Sequence, residues 1–366
     1  MKKVLRLATV VGLLMGFSSC DSEKPTDGVT YTDLFEQTAD HIIIPAYAQF
    51  QSDLSALGAD FTAFDASDVQ SLEKLQDQFQ KAYLSWQSVS SFDFGPAADY
   101  DALLLSNCNS FPTNISKIED HIQSGSFDLD VPSNYEAKGL PALDYLLFHT
   151  SQIELLSELN DSSRINYIRD CIADMQTRVD GVVEAWDGYR AEFVQSSGND
   201  RSSSLSLLFN TFLYDYEQVK RNKFALPSGF ATQYGIPISA DNSAVEGHYS
   251  EMSFELMDAN LAALEKVYMG IGYDGVDGVG IYEKLKEYNA QSTVVDGDLA
   301  SAIQEQFTAC REAISAYTND LSSEIENNNV NLTETSNTLQ KLVPMIKNDM
   351  RSYLSVTVTS TDADGD

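Results

Sequence analysis

Residues 165–193, INYIRDCIADMQTRVDGVVEAWDGYRAEF, decide the fold. Ile165, Ile168, Ile172, Met175, Val179, Val182, Trp186, Tyr189 and Phe193 follow one another at steps of three or four, with charged residues between them. That spacing puts the apolar side chains on one face of a long helix. A single apolar stripe of this length is buried by packing against other helices.

The same pattern repeats on both sides. Leu72, Leu75, Phe79, Tyr83, Trp86 and Val89 form an earlier stripe, and Leu299, Ile303, Phe307, Cys310, Ile314, Tyr317, Leu321 and Ile325 a later one. Shorter runs fall at Leu205–Val219, Met257–Tyr268 and Leu339–Tyr353. The predicted fold is all-α, with two up-down helical bundles packed side by side. The polar faces are acidic rather than basic, which excludes helices lying on an anionic membrane surface. Gly95-Pro96 is expected to end the Trp86 helix, residues 124–134 to form a loop and residues 195–204 a polar linker. Residues 227–248 read as a long loop. The glycines at 270, 272, 275, 278 and 280 do not make a phosphate loop, because no strand precedes them and no Lys-Ser/Thr closes them. Ser355–Thr361 alternates Val with Ser and Thr, as a short strand would. Asp362, Asp364 and Asp366 read as a solvated tail, since no distal Glu completes a calcium loop.

The chain starts with Lys2, Lys3 and Arg6, then an apolar run through Val10, Leu13, Leu14 and Phe17, then Ser18-Ser19-Cys20. A basic start, a short apolar stretch and small residues mark an export signal too short to span a bilayer. The ending reads as a lipobox that makes Cys20 the acylated mature N-terminus. The predicted organisation is a signal at 1–19, a tether at 20–34, bundles at 35–196 and 205–356, and an acidic tail at 357–366. The predicted location is export with lipid anchoring to the outer membrane, on its periplasmic or surface face.

The 366-residue chain has a net charge of −32, and removing the basic signal makes it three units more negative. Such a surface repels nucleic-acid phosphates, so no nucleic-acid partner is expected and the membrane is met through the anchor alone. Past Cys20 the cysteines are Cys108, Cys171 and Cys310, so at most one disulfide can join two of them. Cys171 and Cys310 fall on apolar faces, where a free thiol behaves as a small hydrophobe. There is no CxxC, no zinc spacing, no HExxH and no GxSxG. With 55 acidic residues, chance carboxylate pairs single out no catalytic dyad.

Several landmarks together carry a resemblance. Trp86, Phe92-Asp93-Phe94-Gly95-Pro96, Phe111-Pro112 and Ile118 come first, and Gly139-Leu140-Pro141-Ala142-Leu143-Asp144-Tyr145 follows. Then come Tyr216-Glu217, Lys220, Lys223 and Pro227-Ser228-Gly229, and last Glu246, Tyr249-Ser250, Ser253, Asn260-Leu261 and Tyr268-Met269-Gly270. Over about residues 35–356 the chain resembles imelysin-like proteins, which include iron-regulated protein A-like lipoproteins. The resemblance implies two helical bundles with a site between them, export, and a link to iron or haem uptake. It also implies a GxHxxE motif thought to bind metal in members classed as metallopeptidases.

In that motif His and Glu lie three residues apart on one helix face and can share an ion. Here Gly139 keeps the glycine, Pro141 replaces His and Asp144 replaces Glu. Proline offers no donor atom and suits the first turn of a helix, so Gly139-Leu140-Pro141 is expected to start a core helix with Leu143, Leu146 and Leu147 inside. Asp144 is the only motif-position metal candidate. His149 follows Asp144 by five residues, about 140° round a helix. His41 reads as a helix-start residue and His121 as exposed. His248 lies two residues from Glu246, a ligand spacing only in extended backbone.

The resemblance assigns Gly139, Pro141, Asp144, Tyr249, Ser250 and Asn260 to a ligand cleft between the bundles. The leading reading is a non-enzymatic, lipid-anchored envelope binding protein linked to iron or haem uptake, with no resident metal and no catalytic residue. Iron, zinc or haem is the candidate ligand, and iron- or haem-uptake or outer-membrane proteins are candidate partners. The alternatives are a metallopeptidase-like member using Asp144 and an interaction module of an outer-membrane complex.

Overall fold

The computed structural model describes residues 29–359 apart from Tyr100 and Tyr234. The signal, Cys20, most of the tether and the three tail aspartates lie outside the described residues. Helices account for nearly all the regular structure. Residues 165–193 lie in one helix, Ser162–Gln195, started by the Asp161 carboxylate accepting from Ser163 N–H. Aspartate and serine caps of this kind satisfy backbone donors that a helix start otherwise leaves bare. Asp68 and Asp298 do the same for Val69–Trp86 and Leu299–Ser315.

In the first half Ile44–Thr62 packs on both Val69–Trp86 and Ser162–Gln195. In the second half Leu299–Ser315 packs on both Ser253–Met269 and Asn331–Pro344. The halves meet where Ser204–Glu217 crosses the turn at Ser90–Phe92 and where Ser253–Met269 touches Val69–Trp86. The apolar core runs through both halves without a break. Trp86 sits edge-on to Phe50 at 5.4 Å, and Trp186 edge-on to Phe193 at 5.8 Å.

Several boundaries differ from those expected. The helical body begins at Thr32, within the stretch read as tether, and the Tyr31 hydroxyl reaches that of Tyr288 at 2.8 Å. The Trp86 helix stops at Trp86 itself, well before Gly95-Pro96, and the chain continues in two 3-10 turns. Gly95 instead allows a close approach. With φ at +53°, its position leaves no room for a Cβ, which would sit 2.4 Å from the Tyr189 ring. The loop at 227–248 contains a small hairpin, Thr232–Gln233 paired with Ile236–Pro237. Among the described residues, Ser355–Thr359 forms no strand, because Asn210 takes up its backbone groups: it donates to Thr357 O and accepts from Thr359 N.

The chain leaves the helix after Gln195 and re-enters one at Ser204, and serines tie the segment down: Ser204 Oγ donates to Phe193 O and Ser206 Oγ to Asn199 O. Cys108, Cys171 and Cys310 are all free and buried. No helix among the described residues is long and apolar enough to cross a membrane.

Candidate functional site

Gly139 opens a helix, Gly139–Phe148, in which Leu143, Leu146 and Leu147 are buried. Its φ is +75°, and a Cβ there would lie 2.4 Å from Cys108 O. Only glycine combines that backbone with that approach. Pro141 sits in the first turn and is buried. Asp144, 2 % exposed, points toward the other half. Its Oδ2 accepts from Tyr249 N–H at 2.9 Å and its Oδ1 from Ser250 N–H at 3.0 Å. Burial pushes its carboxyl up to about 6, although the Tyr249 and Ser250 hydrogen bonds pull the other way. The Tyr145 and Tyr249 rings meet edge-on at 5.3 Å across the same seam.

Asn260 lies in a second buried network. The Ser204–Glu217 helix widens into a π-helical stretch, Gln218–Ala225, which carries Lys223. Such widened turns recur at functional sites. Lys223 Nζ donates to Gln87 Oε1 at 2.5 Å and to Asn260 Oδ1 at 2.7 Å, and stands 3.1 Å from Glu246 Oε2. Glu246 Oε1 accepts from Gln87 at 3.1 Å and from Asn109 at 2.7 Å. Asn260 Nδ2 donates to Asp215 Oδ2 at 2.6 Å, and Ser90 Oγ reaches the same oxygen at 3.2 Å. Residues from both halves thus share one buried polar core. Burial raises the Asp215 carboxyl to about 6 against the pull of Lys223 and Asn260, and burial with the Asp215 charge does the same to Asp93.

Ser90, Asn109, Asp215 and Lys223 also form one wall of a cavity of about 740 Å³ between the halves. Phe111, Pro112, Tyr135 and Tyr214 supply apolar and aromatic surface, and Lys117 and Glu136 add charge. Of the six predicted cleft residues, the structure joins Asp144 to Tyr249 and Ser250 and places Asn260 in the network behind this wall. None of the six lines the cavity itself.

The residues at the motif do not fit a bound metal. Pro141 has no donor atom, and both Asp144 oxygens already face backbone N–H groups. His149 turns away, with Nδ1 2.9 Å from Tyr145 O and Nε2 3.2 Å from Glu158. Among the described residues no group of three or more His, Cys, Asp or Glu side chains is arranged to hold an ion. His248 and Glu246 diverge, His248 Nδ1 reaching Ser322 Oγ at 2.8 Å. Two histidine expectations need correcting. His41 lies within a π-helical stretch, Thr38–Ile43, with Nδ1 2.7 Å from Asp274. His121 is half-buried, its ring stacked on Phe127 at 5.7 Å, because Phe127 and Tyr167 fold over what would otherwise be an exposed face.

With this geometry in place, the imelysin family model matches residues 43–347. The chain belongs to the imelysin family. Solved structures share its fold, two of them as follows. An iron-regulated protein A precursor from Parabacteroides distasonis, described as putative, aligns with TM-score 0.70 and 15% identity, covering 88% of this chain and 94% of that one. An imelysin-like protein from Psychrobacter arcticum aligns with TM-score 0.67 and 16% identity, covering 91% and 99%. No match was found among curated proteins. At such identities the likeness to the two structures is one of fold.

The sequence reading of this imelysin missed Gln87, Ser90, Asn109 and Asp215, and named Lys223 and Glu246 only as landmarks. One signal was present. The chain has only 23 basic residues, yet Lys220, Arg221 and Lys223 fall within four positions directly after an apolar helical stripe. Cations concentrated at the end of a buried helix imply buried carboxylates to meet them.

Proposed function

We propose that this imelysin is a lipid-anchored binding protein of the cell envelope that serves iron or haem uptake, holding its ligand in the cavity between its two halves. The observation that carries the reading is the cavity wall, where residues of both halves converge in one buried polar network. A satisfied buried network holds its members in fixed positions, and ligand pockets set a few fixed polar groups among apolar surface. The anchor rests on the Lys2–Cys20 sequence, and export brings the chain to the outer membrane. The iron setting rests on family membership and on the iron-regulated protein A precursor that shares the fold. The motif residues support binding without peptidase chemistry, because Asp144 is committed to the Tyr249-Ser250 backbone.

The test is titration of the full chain in detergent with haem, followed by absorbance, and with ferric citrate, followed by calorimetry. The comparison is Ser106→Trp, which fills the cavity from a half-buried position on its wall. Binding of either ligand that Ser106→Trp abolishes supports the reading. Binding of neither, or binding that survives Ser106→Trp, contradicts it. Cys20→Ser should abolish incorporation of labelled fatty acid, and retained label would remove the anchor from the proposal.

A further inference from the structure

The charges behind the cavity wall do not balance. Two fully buried carboxylates, Asp215 and Glu246, share one cation, Lys223. Lys223 has three donor hydrogens, and it faces three acceptors: Gln87 Oε1, Asn260 Oδ1 and Glu246 Oε2. Its hydrogens go to the Gln87 and Asn260 oxygens, with Glu246 Oε2 3.1 Å away, so its single charge is divided between Glu246 and Asp215. Asp215 receives only neutral donors, Ser90 and Asn260, both on Oδ2. Asp93 adds a further carboxylate close enough to be perturbed by Asp215.

A second observation points the same way. Asn109, 7 % exposed, lies on the cavity wall with its Nδ2 given to Glu246, and its Oδ1 is buried with no hydrogen-bond partner. A buried acceptor left unmet is rare and calls for a donor. The unmet group at this wall is thus an acceptor, and beside it Asp215 is a carboxylate with no cation in direct contact. Phe111, Tyr135 and Tyr214 line the same cavity, and aromatic faces attract cations.

We propose that the cavity binds an organic ammonium group, seated on Asp215 and Asn109 and flanked by the aromatic residues. An ammonium presents donors only and carries the positive charge that Asp215 lacks in direct contact, whereas an anion seated there would meet the Asp215 carboxylate; Lys117, which also lines the cavity, gives its ammonium to the Ser133 carbonyl. This identification rests on the cavity being the ligand site, as proposed above, and adds the chemical class of what it takes.

The experiment is calorimetric titration of the full chain in detergent with cadaverine and with butylammonium, using 1-butanol and potassium chloride as controls. Both amines should bind in the presence of excess potassium, and butanol should not. Asp215→Asn, which keeps the side-chain shape, should weaken the amines at least roughly tenfold, as loss of a charge-assisted contact does. Asn109→Leu is the second variant, with helical content checked by circular dichroism in case Asp215→Asn fails to fold. Lowering the pH from 7.5 to 5 should weaken binding as Asp215 takes up a proton. Equal binding of butanol, displacement by potassium, or full affinity in both variants would overturn the proposal. If the amines fail while haem or ferric citrate binds and is lost in Ser106→Trp, the ammonium assignment falls and the binding function stands. If all of them fail, both fall.

Discussion

At Gly139 a single hydrogen stands where any other residue would place a carbon against the Cys108 carbonyl. The glycine of the family motif therefore has a structural reason to stay even where the motif histidine is gone. Gly139→Ala combines the +75° φ with that clash, and it should cost about 2–4 kcal/mol. Chemical denaturation would read this as a lower midpoint, and an unchanged midpoint would refute the geometry. Asp144 makes a second case. Asp144→Ala leaves the Tyr249 and Ser250 amides without acceptors, at about 1–3 kcal/mol for each. Asp144→Asn keeps one acceptor oxygen and should lose about half as much; equal losses in the two variants would show that the hydrogen bonds are not what Asp144 contributes. The glycine and proline of this motif could be read from the sequence as a helix start. The role of Asp144 could not, because its partners lie more than a hundred positions away in the chain.

Between elements, the glycine-rich segment 270–280 shows what spacing alone conceals. It is neither a phosphate loop nor a linker. It clasps the first half: Gln37 Nε2 donates to Gly270 O at 2.9 Å and Val276 O at 3.2 Å, and Tyr273 N donates to His41 O at 2.8 Å. Its glycines permit close approach, since a Cβ on Gly278 would lie 2.2 Å from Gln37 Oε1. Gly278→Ala should displace Gln37 and speed hydrogen exchange at the Tyr273 amide without unfolding the long helices. Unchanged exchange there would mean that Gln37 is not what holds the loop. The helices themselves were legible, because the stripes at 165–193 and 299–314 obey one period throughout. Their ends were less so. The Trp86 helix stops early because Ser90–Phe92 must turn to meet Ser204–Glu217, a tertiary demand with no local signature.

For the molecule as a whole, charge is the dominant property, and its buried part has a definite pH signature. Asp93, Asp144 and Asp215 each rise from 3.8 to about 6, chiefly through burial. A carboxyl whose native value is raised holds its proton more tightly when folded. Its contribution to stability is complete below about pH 4 and is lost as the pH rises through about 6. For Asp144 alone this is on the order of 3 kcal/mol. Relief of repulsion among the surface carboxylates acts in the same direction. Tm should therefore rise between pH 7 and pH 5, and Asp144→Asn should flatten that rise; a Tm that falls over this interval would contradict the burial of these groups. The net charge was legible from composition. The buried network was not, because it joins single polar residues from five separate segments, and only the cluster of cations at 220–223 hinted at it. From this geometry the altered motif is expected to act as a structural clasp without metal affinity. That expectation is tested most directly by elemental analysis of the purified full chain, followed by calorimetric titration of iron and zinc into the wild type and Asp144→Ala. The expected result is no stoichiometric metal, no metal affinity that depends on Asp144, and a lower Tm in the variant. Tight iron or zinc binding that disappears in Asp144→Ala would contradict it.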